Sequence, residues 1–443
     1  MPPEPIRTAV DGLGRAPRLR LAWLAASLGL LEALSGALRR LLDLSVSLAL
    51  SLLLLPYAAL AWVVARAGGR PAFVREGFVG RWQQPIELGR LTAGGPLARL
   101  PWLWAVVRGD LALVGPAPCS EAERARLTAA DLPRFQVRPG LAHLHRIRRA
   151  ANIDFEGQTR SDLEQVHAVG LGGELGILVR SIPAALIGGR AVAPPRELHL
   201  LGVRIDNWTM SEAIAWLLSQ PRGGRPRQLA FVNPDCLNKA YERESYRRVL
   251  AAADVVLPDG IGIHYACKIL GTSLAANVNG TDLFPRLCDA AEAAGRSLYL
   301  LGARREVVES LGERIAQRWP GLEIAGARDG FFARGGEEER EVVTAIRDSG
   351  ADLLLVAFGA PAQEEWIACH AGELGVAAAM GVGGLFDFYS GRIPRAPGWV
   401  REIGFEWAWR LLQEPGRMWR RYIVGNPLFL WRIWRQGRRF PLG

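Results

Sequence analysis

Several polar side chains stand where short apolar runs end in turn residues, the places at which a side chain can reach a bound ligand. Asp259 lies in LPDGIG, directly after an apolar run, and is followed by Gly260. A carboxylate there could accept a proton from a substrate, although an Asp-Gly pair is equally typical of a simple turn. Asn233 in FVNPD closes the preceding apolar run. The two residues are our first candidates for chemistry.

Three further turns suit a phosphate group. Gly302 in LYLLGAR precedes a helix expected near Arg304, Gly359 in VAFGAPAQ precedes a helix expected near Gln363, and Gly383 lies in MGVGGLF. Free amides at helix starts attract anions. One such turn is usually structural, but three in one sheet favour a phosphorylated ligand such as a nucleotide. Neither a GxGxxG nor a Walker lysine motif is present, which disfavours a dinucleotide cofactor or an NTPase.

The stretch VNGTDL supplies three more candidates, Gly280, Thr281 and Asp282. Thr281 and Asp282 are interpreted first as a helix N-cap and second as contacts to a sugar. The five cysteines show no CxxC spacing, and no DxD clamp is evident. We therefore expect no metal, and no cofactor beyond the substrates.

Alternating strands and helices must position these residues. Apolar runs at 228–233, 253–260, 296–303, 351–360 and 376–384 each end in turn residues, and helical patterns occupy 305–319 and 337–350. This alternation predicts an α/β fold with a Rossmann-like parallel sheet and helices on both faces. Ligands of such sheets bind at the carboxyl ends of the strands.

A membrane segment precedes this domain. Residues 44–65 run without a charge, a length that fits a bilayer, and Pro56 should kink the helix. A span, a re-entrant helix and a buried core helix all remain open. The predicted organisation is a mobile or interfacial segment at 1–38, a membrane helix at 39–70, a membrane-anchored mixed α/β domain at 71–189, a linker at 190–198, the Rossmann-like domain at 199–391 and a basic appendage at 392–443.

The appendage carries most of the net charge. The chain has 54 Lys and Arg against 44 Asp and Glu, a formal +10, and residues 392–443 contribute eleven Arg and three Glu to it. Six of the fifteen Trp lie there too. Arg and Trp together suit a helix in the headgroup region of an anionic membrane. A solvated face or a nucleic-acid patch is the alternative, and no nucleic-acid-binding module accompanies the appendage.

The chain from about His199 to Arg432 resembles the WecG/TagA/CpsF family of glycosyltransferases. The resemblance rests on FVNPDCLN, ADVVLPDGIG, NGTDL, LYLLGA, VAFGAPAQEEW, GVGGLFDFYSG, RIPRAP and EWAWRLLQEP, in the family's order. It implies an inverting transfer of an N-acetylmannosamine-type sugar from a UDP donor to an undecaprenyl-diphosphate-linked amino sugar. No metal is required in the family.

The resemblance also implies residue roles. The family's proposed catalytic base falls on Asp259, its nucleotide-sugar contact on Gln363, with Glu364 beside it, and its appendage arginines on Arg410, Arg417 and Arg420. Spacings of seven and three would put these arginines on one helix face, suited to bidentate phosphate contacts. Phe231 and Ala362 replace the family's usual Thr and Lys, which leaves the exact sugar open.

The N-terminal half carries a second set of motifs, RLLDLSVSLALSLLLLP, RLPWLWAVVRGDLALVGPAP and RFQVRPGL, within about Arg39 to Gly189. Through them it is similar to the bacterial sugar transferases, which load sugar phosphate onto a polyprenyl phosphate. The catalytic Asp-Glu pair of that family is missing, so the half is interpreted as degenerate: a membrane anchor that positions the enzyme or docks another transferase.

Together these features predict a glycosyltransferase of bacterial surface or exopolysaccharide synthesis at the cytoplasmic face of the inner membrane. Its partners would be a UDP-sugar, a polyprenyl-diphosphate-linked sugar and an anionic membrane, with homo-oligomerisation left open. Two alternatives stand: a bifunctional enzyme with an active phosphoglycosyl transferase half, and a non-catalytic membrane scaffold.

Overall fold

The computed structural model describes residues 15–93, 97–153, 155–167, 170–187, 192–221 and 225–439, in two compact units. The first unit contains Met1–Arg146 and Glu156–Ile182, and the second Ile147–Phe155 and Pro183–Gly443. The segment 147–155 thus belongs to the second unit, although it lies inside the predicted domain 71–189. The predicted boundaries otherwise stay predictions. Of the predicted segments, residues 1–14, 94–96, 154, 168–169, 188–191, 222–224 and 440–443 lie outside the described residues.

The first unit opens with two helices, α1 (Arg15–Leu53) and α2 (Leu55–Ala67). Pro56 lies in the first turn of α2 and has no N–H to continue the helical hydrogen bonds, and the predicted kink is confirmed. Among the described residues no single helix is long and apolar enough to cross a membrane. Gly29–Leu53 and Leu55–Ala67 meet that requirement only together, as a pair bent by 55°.

Two polar side chains attach α1 to the rest of this unit. The Arg40 guanidinium donates to the carbonyls of Val106 and Val107 at 2.7 Å, and the Asp43 carboxylate accepts from the Leu113 amide at 3.0 Å. The elements that follow are β1 (Phe73–Val79) antiparallel to β2 (Pro85–Leu91), α3 (Pro101–Arg108), β3 (Ala112–Val114) parallel to β4 (Gly140–Ala142), α4 (Glu121–Arg124), the 3-10 helices Arg81–Gln83 and Ala129–Gln136, α5 (Leu144–Ala150), α6 (Gly157–His167) and α7 (Leu171–Ile187). Of these helices, α5 and α7 begin in residues of the first unit and end in residues of the second.

A parallel sheet forms the centre of the second unit. A hairpin of β5 (Glu197–Leu200) and β6 (Val203–Asp206) precedes it. The sheet strands are β7 (Arg227–Val232), β8 (Val255–Pro258), β9 (Leu298–Gly302), β10 (Ile324–Arg328), β11 (Leu353–Ala357) and β12 (Ala378–Gly381). Their order is β10-β9-β11-β12-β7-β8, with all neighbours parallel. The five predicted strands are confirmed, and the edge strand β10 is an addition.

Helices cover both faces of this sheet, as predicted. Along β11, Leu353 and Leu355 pack into one core cluster, and Leu354 and Val356 into another on the opposite face. A strand buried on both faces is apolar throughout. The helices are α8 (Met210–Leu218), α9 (Pro234–Glu242), α10 (Glu244–Ala252), α11 (Ile261–Ile269), α12 (Gly280–Ala293), α13 (Arg305–Arg318), α14 (Glu337–Asp348), α15 (Ala362–His370), α16 (Leu385–Tyr389), α17 (Gly398–Glu402), α18 (Glu406–Gln413), α19 (Pro415–Trp419) and α20 (Gly425–Arg439), with a π-helical stretch at Arg420–Val424.

Candidate functional site

The carboxyl ends of β12, β7 and β8, three neighbouring strands, bring the leading candidates together. Asn233 follows β7 and Asp259 follows β8. The Asp259 amide donates to the Val232 carbonyl at 2.8 Å, which extends the strand pairing by one residue. Nδ2 of Asn233 lies 3.4 Å from Oδ2 of Asp259. The sheet order therefore places the predicted base and the predicted amide side by side.

Asn233 is held rigidly because it also caps a helix. Its Oδ1 accepts from the amides of Asp235 and Cys236 at 3.1 Å, at the start of α9. Such a cap satisfies amides that have no partner within the helix. With Oδ1 engaged in this way, Nδ2 is directed to the Asp259 carboxylate.

Gln363 joins two of the predicted glycine turns. Its Oε1 accepts from the amides of Gly359 and Gly383, each at 3.0 Å, and its side chain is buried. Gly381 lies against it, and a Cβ there would come within 2.6 Å of Nε2. The side chain thus holds the turns after β11 and β12 together. Its contact with a nucleotide sugar stays a prediction.

The appendage arginines reach the same region without forming one helix face. Helix α18 ends before Glu414 and a new helix begins at Pro415. Arg410 therefore lies on α18, Arg417 on α19, and Arg420 on the π-helical stretch. The expectation of a single helix was wrong, since Pro415 begins a new helix. All three guanidinium groups nevertheless line one cleft, together with Arg421, which the sequence analysis did not select. The adjacent Arg-Arg pair at 420 and 421 was the available signal.

The cleft consists of two chambers. The glycine chamber, of about 460 Å³, is lined by Gly280, Gly359, Gly381, Gly383, Gly384, Phe231, Gln363, Arg417 and Arg420. The aromatic chamber, of about 160 Å³, is lined by Trp407, Tyr422, Asn277, Asn279, Arg401, Glu406, Ala151 and Ile153. Both chambers are lined by Asn233, Asp235, Asp259, Thr281, Phe388, Arg410 and Arg421. Asp259 therefore faces both chambers.

Burial and the neighbouring charges have opposite effects on the pKa of Asp259. Burial raises the pKa of the Asp259 carboxyl above its usual value, while Arg421, the Asn233 hydrogen bond and Arg410 each act to lower it. Within the described part of the chain, Nε of Arg410 is buried without a hydrogen-bond partner. The site therefore holds a carboxylate with increased proton affinity beside guanidinium groups that can bind an anion.

Asp282 does not line either chamber of the cleft. Its Oδ1 pairs with Arg395 at 2.7 Å and with Arg401 at 3.4 Å, and its side chain is buried. The residue thus anchors the appendage to the start of α12. The N-cap of that helix is Asn279, whose Oδ1 accepts from the Asp282 amide at 2.8 Å, so the interpretation of Thr281 and Asp282 as the cap was wrong.

Two other candidates also lie outside the chamber linings. Gly302 has φ 126°, and a Cβ there would lie 2.7 Å from the Ala357 carbonyl oxygen, so glycine permits the close approach of β9 and β11. Glu364 is fully buried. It accepts from Nε2 of Gln363 at 2.7 Å and lies 3.4 Å from the Tyr246 hydroxyl. Burial raises the pKa of Glu364 to about 7.

Comparison with known families identifies the larger unit. Residues 198–441 match the glycosyl transferase WecG/TagA/CpsF family, which is more than half of the chain. The chain belongs to this family. Residues 87–188 of the glycosyltransferase match the bacterial sugar transferase family in addition. The two similarities expected from the motifs are thereby confirmed.

Individual relatives of this glycosyltransferase share one name, N-acetylglucosaminyldiphosphoundecaprenol N-acetyl-beta-D-mannosaminyltransferase. The protein from Bacillus spizizenii is 38% identical over 195 residues, 44% of this chain and 74% of the relative. The one from Bacillus subtilis is 31% identical over the same shares. One from Staphylococcus aureus is 29% identical over 245 residues, 55% of this chain and 94% of the relative.

Proposed function

We propose that this glycosyltransferase moves an N-acetylmannosamine-type sugar from UDP to an undecaprenyl-diphosphate-linked amino sugar, with inversion. The observation that carries the proposal is the position of Asp259, which faces both chambers of the cleft. An enzyme that joins two substrates needs its base where the two meet. The name shared by the relatives supports the choice of sugars.

The glycine chamber suits the donor. Gln363 holds two of its glycine turns by accepting from the Gly359 and Gly383 amides, and the guanidinium groups of Arg417 and Arg420 line the chamber, where they can bind a diphosphate. The aromatic chamber suits the acceptor sugar, because Trp407 and Tyr422 offer flat apolar surfaces there, with ring centroids 6.0 Å apart. Phe231 cannot donate a hydrogen bond, so it contributes shape alone to the donor side.

The proposed reaction follows from this arrangement. Asp259 accepts the proton of the acceptor hydroxyl, whose oxygen forms a bond to the anomeric carbon while the bond from that carbon to UDP breaks. The electron pair leaves with the β-phosphate of UDP. Arg410 and Arg421 stand beside Asp259 to stabilise the developing charge. The raised pKa of Asp259 increases its affinity for the proton that it must accept.

We also propose that the enzyme works at the cytoplasmic face of the inner membrane. The bent apolar pair Gly29–Leu53 and Leu55–Ala67 supports an anchor there. On α20, Trp431 and Trp434 are exposed, with Arg435 and Arg438 stacked over them at 4.8 and 3.9 Å from the ring centroids. Alternating aromatic and basic groups of this kind suit an anionic headgroup layer.

UDP release from the full chain tests the proposed transfer. With UDP-N-acetylmannosamine and a polyprenyl-diphosphate N-acetylglucosamine acceptor, we expect release that depends on the acceptor. Asp259→Asn should lower kcat by about 10²–10⁴ in protein that still folds. Asp348→Asn alters an exposed carboxylate and is the control. Unchanged kcat in Asp259→Asn would contradict the assigned base, and retained polysaccharide synthesis in cells carrying it would favour the scaffold.

A second candidate function is favoured by the match of residues 87–188 to the bacterial sugar transferases. If that half is active, the full chain should release UMP from a UDP-sugar in the presence of undecaprenyl phosphate. We propose instead that this half is degenerate and positions the enzyme, because the expected Asp-Glu pair is missing from PIELGRLTAGGPLARLPWLW. UMP release would establish the bifunctional alternative.

A further inference from the structure

One wall of the aromatic chamber comes from outside the family domain. Residues 147–155 belong to the second unit, yet they precede residues 198–441 and lie within the stretch that matches the sugar transferases. Ala151 and Ile153 line the chamber together with Asp259. A segment of the N-terminal half in sequence is therefore part of the active site in space.

The end of a helix directs this segment into the chamber. The Asn152 amide donates to the Arg149 carbonyl at 3.1 Å and the Ile153 amide to the Arg148 carbonyl at 2.9 Å, which closes the last turn of α5. Asn152 has φ 55°, a left-handed conformation that Asn tolerates better than most residues. The chain therefore leaves the helix in a sharp turn, with Ala151 and Ile153 on the chamber side.

Hydrogen bonds connect this turn to the base. The Asn152 carbonyl accepts from the Asn277 amide at 2.9 Å. The Asn277 side chain in turn accepts from the Gly260 amide at 2.7 Å, one residue after Asp259. Nδ2 of Asn152 also lies 2.8 Å from Nδ1 of His264, on the helix that follows Asp259. Asn152 is thus attached, directly and through Asn277, to the residues that follow Asp259 in the chain.

A charged contact and a packed ring attach the two ends of the segment to the rest of the second unit. Arg148 pairs with Glu402 at 3.0 Å, and both side chains are largely shielded from solvent. Glu402 is adjacent to Arg401, which lines the aromatic chamber. Phe155 packs against the main core, with the Arg286 guanidinium 4.9 Å from its ring centroid.

We propose that residues 151–153 form a specificity-determining wall of the acceptor site, in which Ile153 contacts the acceptor sugar and Asn152 is a positioning residue for Asp259. The proposal rests on the proposed function. Ala151 and Ile153 give the chamber an apolar surface that fits the C–H face of a pyranose, and the base and the guanidinium groups in the same lining can bind its polar substituents. Acceptor preference is accordingly set in part by sequence that the family domain alone lacks.

Steady-state kinetics of the full chain in detergent test both roles. Ile153→Trp, which narrows a chamber of about 160 Å³, should raise the KM for polyprenyl-diphosphate N-acetylglucosamine about tenfold or more and leave the donor KM unchanged. Ile153→Ala is the milder second variant and should change the ratio of rates for acceptors with larger and smaller sugars. Arg149→Ala, an exposed residue of the same helix, is the matched control and should behave as wild type.

Asn152→Gly keeps the left-handed conformation and removes the amide. As a positioning residue, it should lower kcat about tenfold while acceptor KM stays near wild type. If Ile153→Trp and Asn152→Gly both retain wild-type kcat and acceptor KM, the proposal is overturned.

Acceptor binding separates this proposal from the proposed function. In a chain disabled by Asp259→Asn, equilibrium titration with the same acceptor should show about tenfold weaker binding when Ile153→Trp is added. Unchanged affinity would overturn the proposed wall. If the wild-type chain binds the acceptor but releases no UDP with any donor, the proposed function fails and the wall is judged on affinity alone.

Discussion

The Asp282 carboxylate should matter more for stability than for catalysis. It is buried between Arg395 at 2.7 Å and Arg401 at 3.4 Å, and Asn279 donates to its other oxygen at 2.8 Å. Asp282→Asn keeps the size of the side chain and can keep the contact with Asn279. It removes the negative charge that holds two guanidinium groups of the appendage.

The expected cost follows from burial. Removing one partner of a buried ion pair costs about 3–5 kcal/mol, because the remaining charge has lost its compensation. Arg395 keeps a second partner, Glu406 at 3.1 Å, so we expect the lower end, about 3 kcal/mol. Glu244→Gln is the matched control. It breaks a pair with Arg248 at 2.6 Å in which both side chains are exposed, and should cost about 0.3–0.5 kcal/mol.

Urea unfolding followed by tryptophan fluorescence measures the unfolding free energies of wild type, Asp282→Asn and Glu244→Gln.

The loss of stability in Asp282→Asn should also depend on pH. Although burial opposes the charge, Arg395 and the other partners lower the pKa of Asp282 overall. A carboxyl with a lowered pKa in the folded state stabilises the protein above its unfolded pKa of about 3.9, and that contribution is lost as the pH falls through the folded value. The gap between wild type and Asp282→Asn should therefore close in acid.

The opposite result would refute this reasoning. If Asp282→Asn unfolds at the wild-type urea concentration but raises the KM of the donor or acceptor, Asp282 contacts a sugar, which was the second interpretation of the stretch VNGTDL. An equal loss of stability in Asp282→Asn and Glu244→Gln would show that burial of the pair does not determine its contribution.

Two further substitutions test candidate residues that lie outside the chamber linings. Because burial raises the pKa of Glu364 to about 7, the folded state binds the Glu364 proton more tightly than the unfolded state does. Stability should therefore fall as the pH rises from about 4.5 to 7. Glu364→Gln should flatten that part of the plot of unfolding midpoint against pH. Gly302→Ala should destabilise by about 2 kcal/mol or more, since its Cβ would lie 2.7 Å from the Ala357 carbonyl at a positive φ. Gly312→Ala, in a helix with open space around it, should instead stabilise by about 0.5–1 kcal/mol, and equal unfolding midpoints for the two variants would contradict the close-approach argument.

The central sheet was accessible from the sequence because its strands are short apolar runs that end in turn residues. The runs that contain Leu229, Leu257 and Leu355 were all found in this way. The edge strand β10, IAGAR, was missed because it holds two alanines and a glycine and has no continuous apolar run. Asp259 and Asn233 were accessible for the same reason, since strand ends in a parallel sheet are where ligands bind.

The roles of neighbouring motif residues were not accessible in this way. Gln363 and Glu364 are adjacent in sequence, yet one lines the glycine chamber and the other lies in the core beside Tyr246. Adjacent residues of a helix point about 100° apart, and only the packing of α15 decides which of them faces the cleft. The arginines of the appendage show the converse, because Arg410 and Arg420 meet in one cleft across a helix break.

The sequence by itself determined the fold class, the family and the residue that we assign as the base, because these depend on local patterns of apolar runs, turns and motifs. The tertiary structure alone decided that Asp282 anchors the appendage without lining the cleft, and that Arg421 lines the cleft beside the base. It also assigned residues 147–155 to the unit that contains the active site. The physical reason is that burial and pairing depend on which residues pack against a side chain, and for Asp282, Arg421 and Asn152 those partners lie 100 residues or more away in the chain.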